Sequence, residues 1–120
     1  MHEMGIALQI IEVATQSIPP DLNGSPVERI RLKVGKLSAV IPDNLRFCFE
    51  VAAKDTAVEG AELVIEEIPV EARCNVCGHF WTITQPEFSC PECQSGSIEM
   101  LSGRELDIES IEVREKNVEN

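Results

Sequence analysis

Two Cys-x-x-Cys pairs constrain this chain more than any other feature of its sequence. Cys74 and Cys77 form the first pair. Cys90 and Cys93 form the second pair, after twelve intervening residues. Each pair can direct two sulfur atoms at one point, and four thiolates are ligands that Zn²⁺ prefers in structural sites. Four such ligands leave no coordination position for water, so we expect a site that stabilises the fold and has no hydrolytic role.

Paired cysteines have other uses, and the spacing leaves two of them open. They also occur as redox dithiols and as ligands of iron–sulfur clusters. A haem attachment motif is excluded because Gly78 separates the first pair from His79. We expect His79 to be exposed to solvent or to support the metal ligands without binding, although exchange into the zinc sphere or a transient metal contact remains the alternative.

The charge of the chain disfavours nucleic acid as a partner. The net charge is −11, from 21 acidic and 10 basic residues. Zinc ribbons that bind nucleic acid use clustered Lys and Arg, and none occurs between Cys74 and Cys93. Aromatic residues make up only 4% of the chain, which leaves few surfaces for base stacking. We therefore expect protein partners or cations.

Motifs for membrane insertion and for catalysis are missing from the sequence. No apolar run approaches the 18 residues of a membrane span, and the first residues lack a basic signal region, so we expect a cytoplasmic protein that does not bind membranes. Reduced cysteines in that compartment favour metal over disulfides. No nucleophile–base pair and no Gly-x-x-x-x-Gly-Lys run is visible, so we expect no enzymatic activity.

Apolar periodicity predicts two helices. The first runs from Met4 to Ile18 and ends before two prolines, and the second begins at Pro42, which suits a first helical turn. We expect Met4 and Cys48 to be buried core residues, with an inert thiol at Cys48. The predicted apolar faces are Met4, Ala7, Leu8, Ile11, Ala14 and Ile18 on the first helix, and Leu45, Cys48, Phe49, Ala52 and Ala53 on the second.

Alternation of apolar and polar residues predicts the strands. Residues 28–34 alternate strictly, and their basic face should pair with acidic residues of neighbouring strands. Residues 63–72 form a second strand whose alternation changes phase near Glu66-Glu67, which indicates a bulge or bend. Residues 80–83 form a short strand at the cysteines, in which Trp81 is a minor core residue. The last strand spans 106–113.

These elements predict an α+β fold. A small three-stranded sheet with two helices on one face would bury the apolar residues, and a four-cysteine zinc-knuckle module would be inserted between two of its strands. The predicted domains are a discontinuous one, residues 1–72 with 104–120, and a zinc-binding one, residues 73–103. A segment as short as the second needs metal or disulfides to hold a fold, so zinc binding would supply its folding energy.

The first three residues form a second candidate metal site. A large residue at position 2 discourages removal of Met1, so its free amine should lie beside the imidazole of His2. The amine, the His2 amide and the ring nitrogen can chelate one ion, and such nitrogen ligands suit Ni²⁺ or Cu²⁺. Glu3 or a partner could supply a fourth ligand. Terminal residues are often disordered, so this pattern alone does not establish a site.

Several motifs occur together between the first residue and about Val113. They are Met1-His2-Glu3 before an amphipathic helix, Val34-Gly35-Lys36-Leu37, Pro42-Asp43-Asn44-Leu45-Arg46-Phe47, Glu59-Gly60-Ala61, and the two cysteine pairs. In combination they resemble the HypA/HybF family, the nickel metallochaperones of hydrogenase maturation.

The resemblance implies a function with two metals. Nickel would be transient cargo, held by His2 with the Met1 amine and Glu3, and zinc would be structural, on Cys74, Cys77, Cys90 and Cys93. A partner GTPase would drive nickel transfer into the large subunit of [NiFe]-hydrogenase. The alternatives are a zinc-ribbon interaction adaptor without a second metal and a thiol oxidoreductase, which bound zinc would exclude.

Overall fold

The computed structural model describes residues 3–22 and 24–114, which form two helices, six strands and two short 3₁₀ turns. Among these residues, no helix is both long and apolar enough to cross a membrane. The elements are α1 (Glu3–Ser17), β1 (Val27–Gly35), α2 (Pro42–Ala52), β2 (Glu62–Ile68), β3 (Val70–Cys74), β4 (Phe80–Ile83), β5 (Ile98–Ser102) and β6 (Leu106–Val113), with 3₁₀ turns at Pro20–Leu22 and Lys36–Ser38.

The chain divides into two compact units. The first comprises the described parts of Met1–Leu32, Val40–Glu66 and Asp107–Asn120, and the second comprises Lys33–Ala39 and Glu67–Leu106. Two helices, small sheets and a four-cysteine cluster confirm the predicted α+β class. The predicted domain boundaries remain a prediction: a discontinuous domain of residues 1–72 and 104–120, with a zinc-binding domain of residues 73–103 inserted in it.

Helix α1 matches the predicted helix in extent but not in the details of its buried face. Its buried residues are Ala7, Ile10, Ile11 and Ala14. The prediction that Met4 lies in the core is wrong, because Met4 is 40% exposed and Leu8 is 54% exposed. Helical geometry explains the error, since a face centred on positions 7, 10, 11 and 14 leaves positions 4 and 8 at its flank.

The first unit contains a three-stranded sheet in the order β2-β1-β6. Its central strand, β1, buries Ile30, Leu32 and Val34, as the alternation predicted. The opposite, basic face pairs with carboxylates on both neighbouring strands, also as predicted. Arg29 contacts Glu62 at 3.1 Å and Glu112 at 2.6 Å, and Arg31 contacts Glu112 at 2.5 Å.

These ion pairs favour the observed register of the strands, and they add little to the stability of the unit. Hydrogen bonds from Arg31 and then Arg29 lower the pKa of Glu112. All the side chains involved are partly or largely exposed to solvent, so solvent screening keeps the contribution of each pair to stability small. Opposite charges on adjacent strands nevertheless disfavour a shifted register, which would separate the arginines from these carboxylates.

Helix α2 begins at Pro42 and packs against α1. Leu45 and Phe49 are its buried residues, and both belong to the predicted apolar face. Cys48 is only half-buried, so the prediction of a buried thiol is wrong. The reason is that Cys48 lies at the edge of the buried face of the helix, next to Phe47, which is 65% exposed.

The predicted strand 63–72 is in fact two strands in two different sheets. Strand β2 ends at Ile68 and pairs in the first sheet, whereas β3 begins at Val70 and is central in a second sheet with the order β4-β3-β5. Pro69 separates the two strands, because it has no N–H to donate to a ladder. The change of phase near Glu66-Glu67 marks this transition, since the unit boundary falls between those residues.

Two glycines hold the segment 33–39 in the second unit. The Gly35 N–H donates to the Glu105 carbonyl at 2.7 Å, and the Leu37 N–H donates to the Gly103 carbonyl at 2.8 Å. A Cβ atom on Gly35 would lie 2.0 Å from the Gly103 carbonyl oxygen. This close approach of two backbones requires glycine.

Replacing Gly35 with Ala should therefore destabilise the protein by more than about 3 kcal/mol, because the clash is with backbone and no rotamer change relieves it. The φ of Gly35 is −72°, so the cost is steric and not conformational. Gly5→Ala is the matched control: Gly5 lies exposed in α1 with nothing near its Cβ position, and alanine there should stabilise by about 0.5–1 kcal/mol. Urea unfolding measures both; equal midpoints for the two variants would contradict the close approach.

Candidate metal centre

The first cysteine pair lies on a tight turn at the end of β3. The Cys74 N–H donates to the His79 carbonyl at 2.8 Å, and the Gly78 N–H donates to the Cys74 carbonyl at 3.0 Å. Gly78 has a φ of +79°, a left-handed conformation that glycine adopts without steric cost. Gly78 therefore lets the chain turn directly after the first cysteine pair.

The second pair repeats the same turn. The Cys90 N–H donates to the Ser95 carbonyl at 2.9 Å, and the Gln94 N–H donates to the Cys90 carbonyl at 2.8 Å. Gln94 occupies the position equivalent to Gly78 and has a φ of +62°. The chain thus forms one turn twice, and each turn presents two sulfur atoms.

The four Sγ atoms come together and all lie within 4.8 Å of one another. The Cys74–Cys93 and Cys77–Cys90 Sγ distances are both 3.6 Å. Four sulfurs at about 2.3 Å from a tetrahedral zinc ion would be about 3.8 Å apart. Cys74 and Cys90 are buried, whereas Cys77 and Cys93 are exposed. Both the donor set and the spacing fit a thiophilic cation such as Zn²⁺.

Backbone N–H groups support the buried sulfurs. Those of Val76 and Cys77 donate to Cys74 Sγ at 3.3 and 3.4 Å, and that of Glu92 donates to Cys90 Sγ at 3.3 Å. The bond from Cys77 is the main cause that lowers the pKa of the Cys74 thiol to about 6, with burial opposing it and Val76 adding to it. At neutral pH one thiolate is thus present before metal binds.

The neighbouring thiols are held in the protonated form. The His79 N–H favours the Cys77 thiolate, but burial and the hydrogen bond shared with Cys90 outweigh it and raise the pKa of Cys77 to about 12. The pKa of Cys93 is also raised, since its contact with Cys74 and burial outweigh the hydrogen bond from Ser95. Four sulfurs this close cannot all ionise without a cation among them.

Metal binding at this site should release protons. At pH 7, zinc must displace about two protons or more, one each from Cys77 and Cys93, because ligating sulfurs are deprotonated. Cys74 adds a further proton only as the pH falls through about 6, so affinity should fall more steeply with acid below that pH. Calorimetry in buffers of different ionisation enthalpy measures the number. Release of fewer than two protons per zinc at pH 7 would contradict this account.

His79 and Trp81 lie beside the site without joining it. Their rings stack with centroids 5.9 Å apart and planes at 9°, and both residues are half-buried. Among the described residues, the group that could hold a metal is made of the four cysteines without His79. Sequence reasoning missed the ring stack, although the His-x-Trp spacing at the start of β4 was a signal for it.

The predicted terminal site lies largely outside the described residues, which exclude Met1 and His2. Glu3 is described: it begins α1, and its Oε2 accepts a hydrogen bond from the Ile41 N–H at 3.2 Å. This contact joins the start of α1 to the residue before α2. Sequence reasoning did not identify Ile41, because nothing local in the sequence connects positions 3 and 41.

The fold and the cysteine site define a small α+β protein with a four-cysteine metal-binding module. The sequence model of a family described as "Hydrogenase/urease nickel incorporation, metallochaperone, hypA" matches residues 1–113. The chain therefore belongs to the HypA family.

Individual relatives agree with this assignment. The hydrogenase maturation factor HypA of Desulfosudis oleivorans is 56% identical over 115 residues, 96% of this chain and 100% of its own. That of Desulfatibacillum aliphaticivorans is 54% identical over 94% of this chain and 87% of its own. The solution structure of the nickel metallochaperone HypA from Helicobacter pylori has a TM-score of 0.62 at 23% identity, covering 94% of this chain and 97% of that one. That last likeness concerns the fold.

Proposed function

We propose that this chain is a nickel metallochaperone that binds Ni(II) at its N-terminus and delivers it for hydrogenase maturation. The observation that carries the proposal is the family match, which extends from residue 1 through both cysteine pairs. His2 and the amine of Met1 supply the nitrogen ligands that Ni²⁺ prefers, with Glu3 nearby. Nickel is the cargo of the protein and not a resident cofactor.

The four cysteines hold a structural zinc ion in this proposal. Their sulfurs lie within 4.8 Å of one another, and turns of one type present both pairs. When bound, zinc supplies a closed tetrahedral centre that joins the two turns. The cysteine module is small and many of its side chains are exposed, so the metal provides much of its folding free energy.

Transfer of the cargo requires partners in this proposal. A GTPase of hydrogenase maturation acts with this chain, and the large subunit of [NiFe]-hydrogenase receives the nickel in the cytoplasm. Support comes from the names of the relatives, which are hydrogenase maturation factors. The sequence contains no Gly-x-x-x-x-Gly-Lys phosphate loop, so a second protein supplies the nucleotide hydrolysis.

Replacing His2 with Ala tests the proposal directly. Nickel affinity should fall by more than about 100-fold, because the chelate loses its imidazole ring. Zinc content and the thermal unfolding temperature should not change. His79→Ala is the matched control, since it removes the other histidine of the chain. Titration with nickel while zinc is quantified decides the matter.

The possible outcomes separate the two functional hypotheses. If the native protein retains zinc and binds no nickel, the chain is an interaction adaptor built on a zinc module. If His79→Ala loses nickel and His2→Ala keeps it, the nickel site lies at the cysteine module and the terminal site is wrong.

A further inference from the structure

The four cysteines of the metal module differ in their access to solvent. Cys74 and Cys90 are each 1% exposed, whereas Cys77 and Cys93 are exposed to solvent. In both turns the first cysteine is thus the buried one and the second is the exposed one. A small oxidant in solution therefore reaches Cys77 and Cys93 before the other two.

Each exposed cysteine has a buried one next to it in the opposite turn. Cys77 Sγ lies 3.6 Å from Cys90 Sγ, and Cys93 Sγ lies 3.6 Å from Cys74 Sγ. Both contacts cross between the two turns. Each therefore combines a sulfur that an oxidant can reach with a protected sulfur placed to attack it, which is the arrangement that reversible thiol oxidation needs.

We propose that this cluster is also a site of reversible oxidation, at which hydrogen peroxide forms two specific disulfides, Cys74–Cys93 and Cys77–Cys90, and displaces the metal. The pairing follows from the positions of the sulfurs and applies to the metal-free protein as well. Only the displacement of zinc rests on the function proposed above.

The chemistry proceeds in two steps for each pair. In the zinc-loaded cluster, where Cys77 would be a thiolate, its sulfur attacks one oxygen of hydrogen peroxide and the O–O bond breaks. The products are a sulfenic acid and hydroxide, which takes up a proton. The thiolate of Cys90 then attacks the Cys77 sulfur, the S–O bond breaks, and the hydroxide that leaves takes up a second proton to give a second water. For the zinc-bound cluster, four thiolates, two peroxides and four protons give two disulfides, four waters and free Zn²⁺.

Disulfides across the turns would link the two turns covalently, whereas disulfides within each turn would not. Four cysteines allow three pairings, and only the two across the turns link residues 74–77 to residues 90–93. With that link, the module keeps its two turns together after the metal has left. Reduction then returns four thiols close to their original positions, so zinc binding is restored.

The test uses the full chain with Cys48→Ser as background, which removes the fifth cysteine. Zinc-loaded and metal-free proteins are treated with hydrogen peroxide, alkylated, and cleaved by a glutamate-specific protease after Glu87 and Glu92. These cuts place Cys74 and Cys77 on one fragment and the other two cysteines on separate fragments. Pairing across the turns joins all three fragments, and tandem mass spectrometry between Cys74 and Cys77 assigns each bond.

We expect the Cys74–Cys93 and Cys77–Cys90 bonds in both samples. In the zinc-loaded sample, where all four sulfurs would be thiolates, a sulfenic-acid trap should label the exposed Cys77 and Cys93 in preference to their buried partners. Zinc should leave at about two peroxides per ion, as the stoichiometry of disulfide formation requires, and return after reduction by a phosphine. Disulfides within the turns, the pairing Cys74–Cys90 with Cys77–Cys93, or sulfinic acids in place of disulfides would overturn the proposal.

The metal-free sample separates this proposal from the zinc assignment. If the protein never binds zinc, the pairing in that sample still supports or overturns the oxidation site. If zinc binds and the disulfides form within the turns, the zinc role stands and the oxidation site is wrong.

Discussion

Replacing Cys74 with Ser is expected to lower zinc affinity by more than about 100-fold. Loss of a hydrogen bond that supports a metal ligand lowers affinity by up to about 100-fold, and loss of the ligand itself should cost more. Cys74 combines three features: it is buried, it ends β3, and its sulfur accepts two backbone N–H groups. A serine hydroxyl at neutral pH is a poor replacement for the thiolate. The proposed zinc ion would supply folding free energy to the cysteine module, so β4 and β5 should lose their ordered structure with the metal.

The first unit should remain folded in that variant. Its core of α1, α2 and β1 contains no cysteine of the metal module. Circular dichroism should therefore retain the helical signal while metal analysis shows loss of zinc. Cys48→Ser is the matched control, since it changes the fifth cysteine and should keep the full zinc content. Normal zinc affinity with three remaining cysteines would contradict the closed four-thiolate site.

Adding two residues before Met1 is expected to weaken nickel binding by more than about 100-fold, because the chelate loses one of its nitrogen ligands. The extension converts the Met1 amine into a peptide nitrogen, which binds Ni²⁺ only after losing a tightly held proton. His2 keeps its ring but has no adjacent amine. Zinc content and unfolding temperature should not change, since the cysteine module lies elsewhere in the chain.

The control for this experiment is the same two residues added after Asn120. That protein should titrate with nickel like the native form. If the protein extended before Met1 also binds nickel with native affinity, the cargo site does not use the terminal amine, and the assignment of Met1, His2 and Glu3 is wrong.

Local patterns in the sequence predicted the helices, the central strand and the cysteine cluster. Residues 28–34 showed the buried face of β1, because the side chains of a strand alternate with a period of two. The basic face of that strand predicted pairing with acidic residues, but it did not identify Glu62 or Glu112 as the partners. The four cysteines were predicted as one site because each turn is a local structure of six residues. Such features depend on neighbours in the chain.

The features that the sequence did not predict depend on residues far apart. The contact of Gly35 with Gly103, and that of Glu3 with Ile41, join positions whose local sequences give no sign of each other. The second sheet was missed for a related reason. The change of alternation at Glu66-Glu67 indicated a disturbance in one strand, and only tertiary pairing shows that the chain enters another sheet.

The burial of single side chains was also only partly predictable. Periodicity placed α1 correctly, but several faces of a helix rich in apolar residues satisfy the same spacing. The neighbours of α1 select the face that includes Ile10 and excludes Leu8. The same applies to Cys48. Its position in an apolar stripe of the sequence predicted a buried side chain, but in α2 it is only half-buried.

Metal analysis of the protein with its native N-terminus, after exposure to excess nickel and removal of unbound metal, distinguishes a nickel metallochaperone from a zinc-module adaptor. We expect about one zinc and one nickel per chain, with the nickel absent from the His2→Ala variant and the zinc present in both. Nickel that displaces zinc from the cysteines, or a native protein that retains zinc alone, would contradict this expectation.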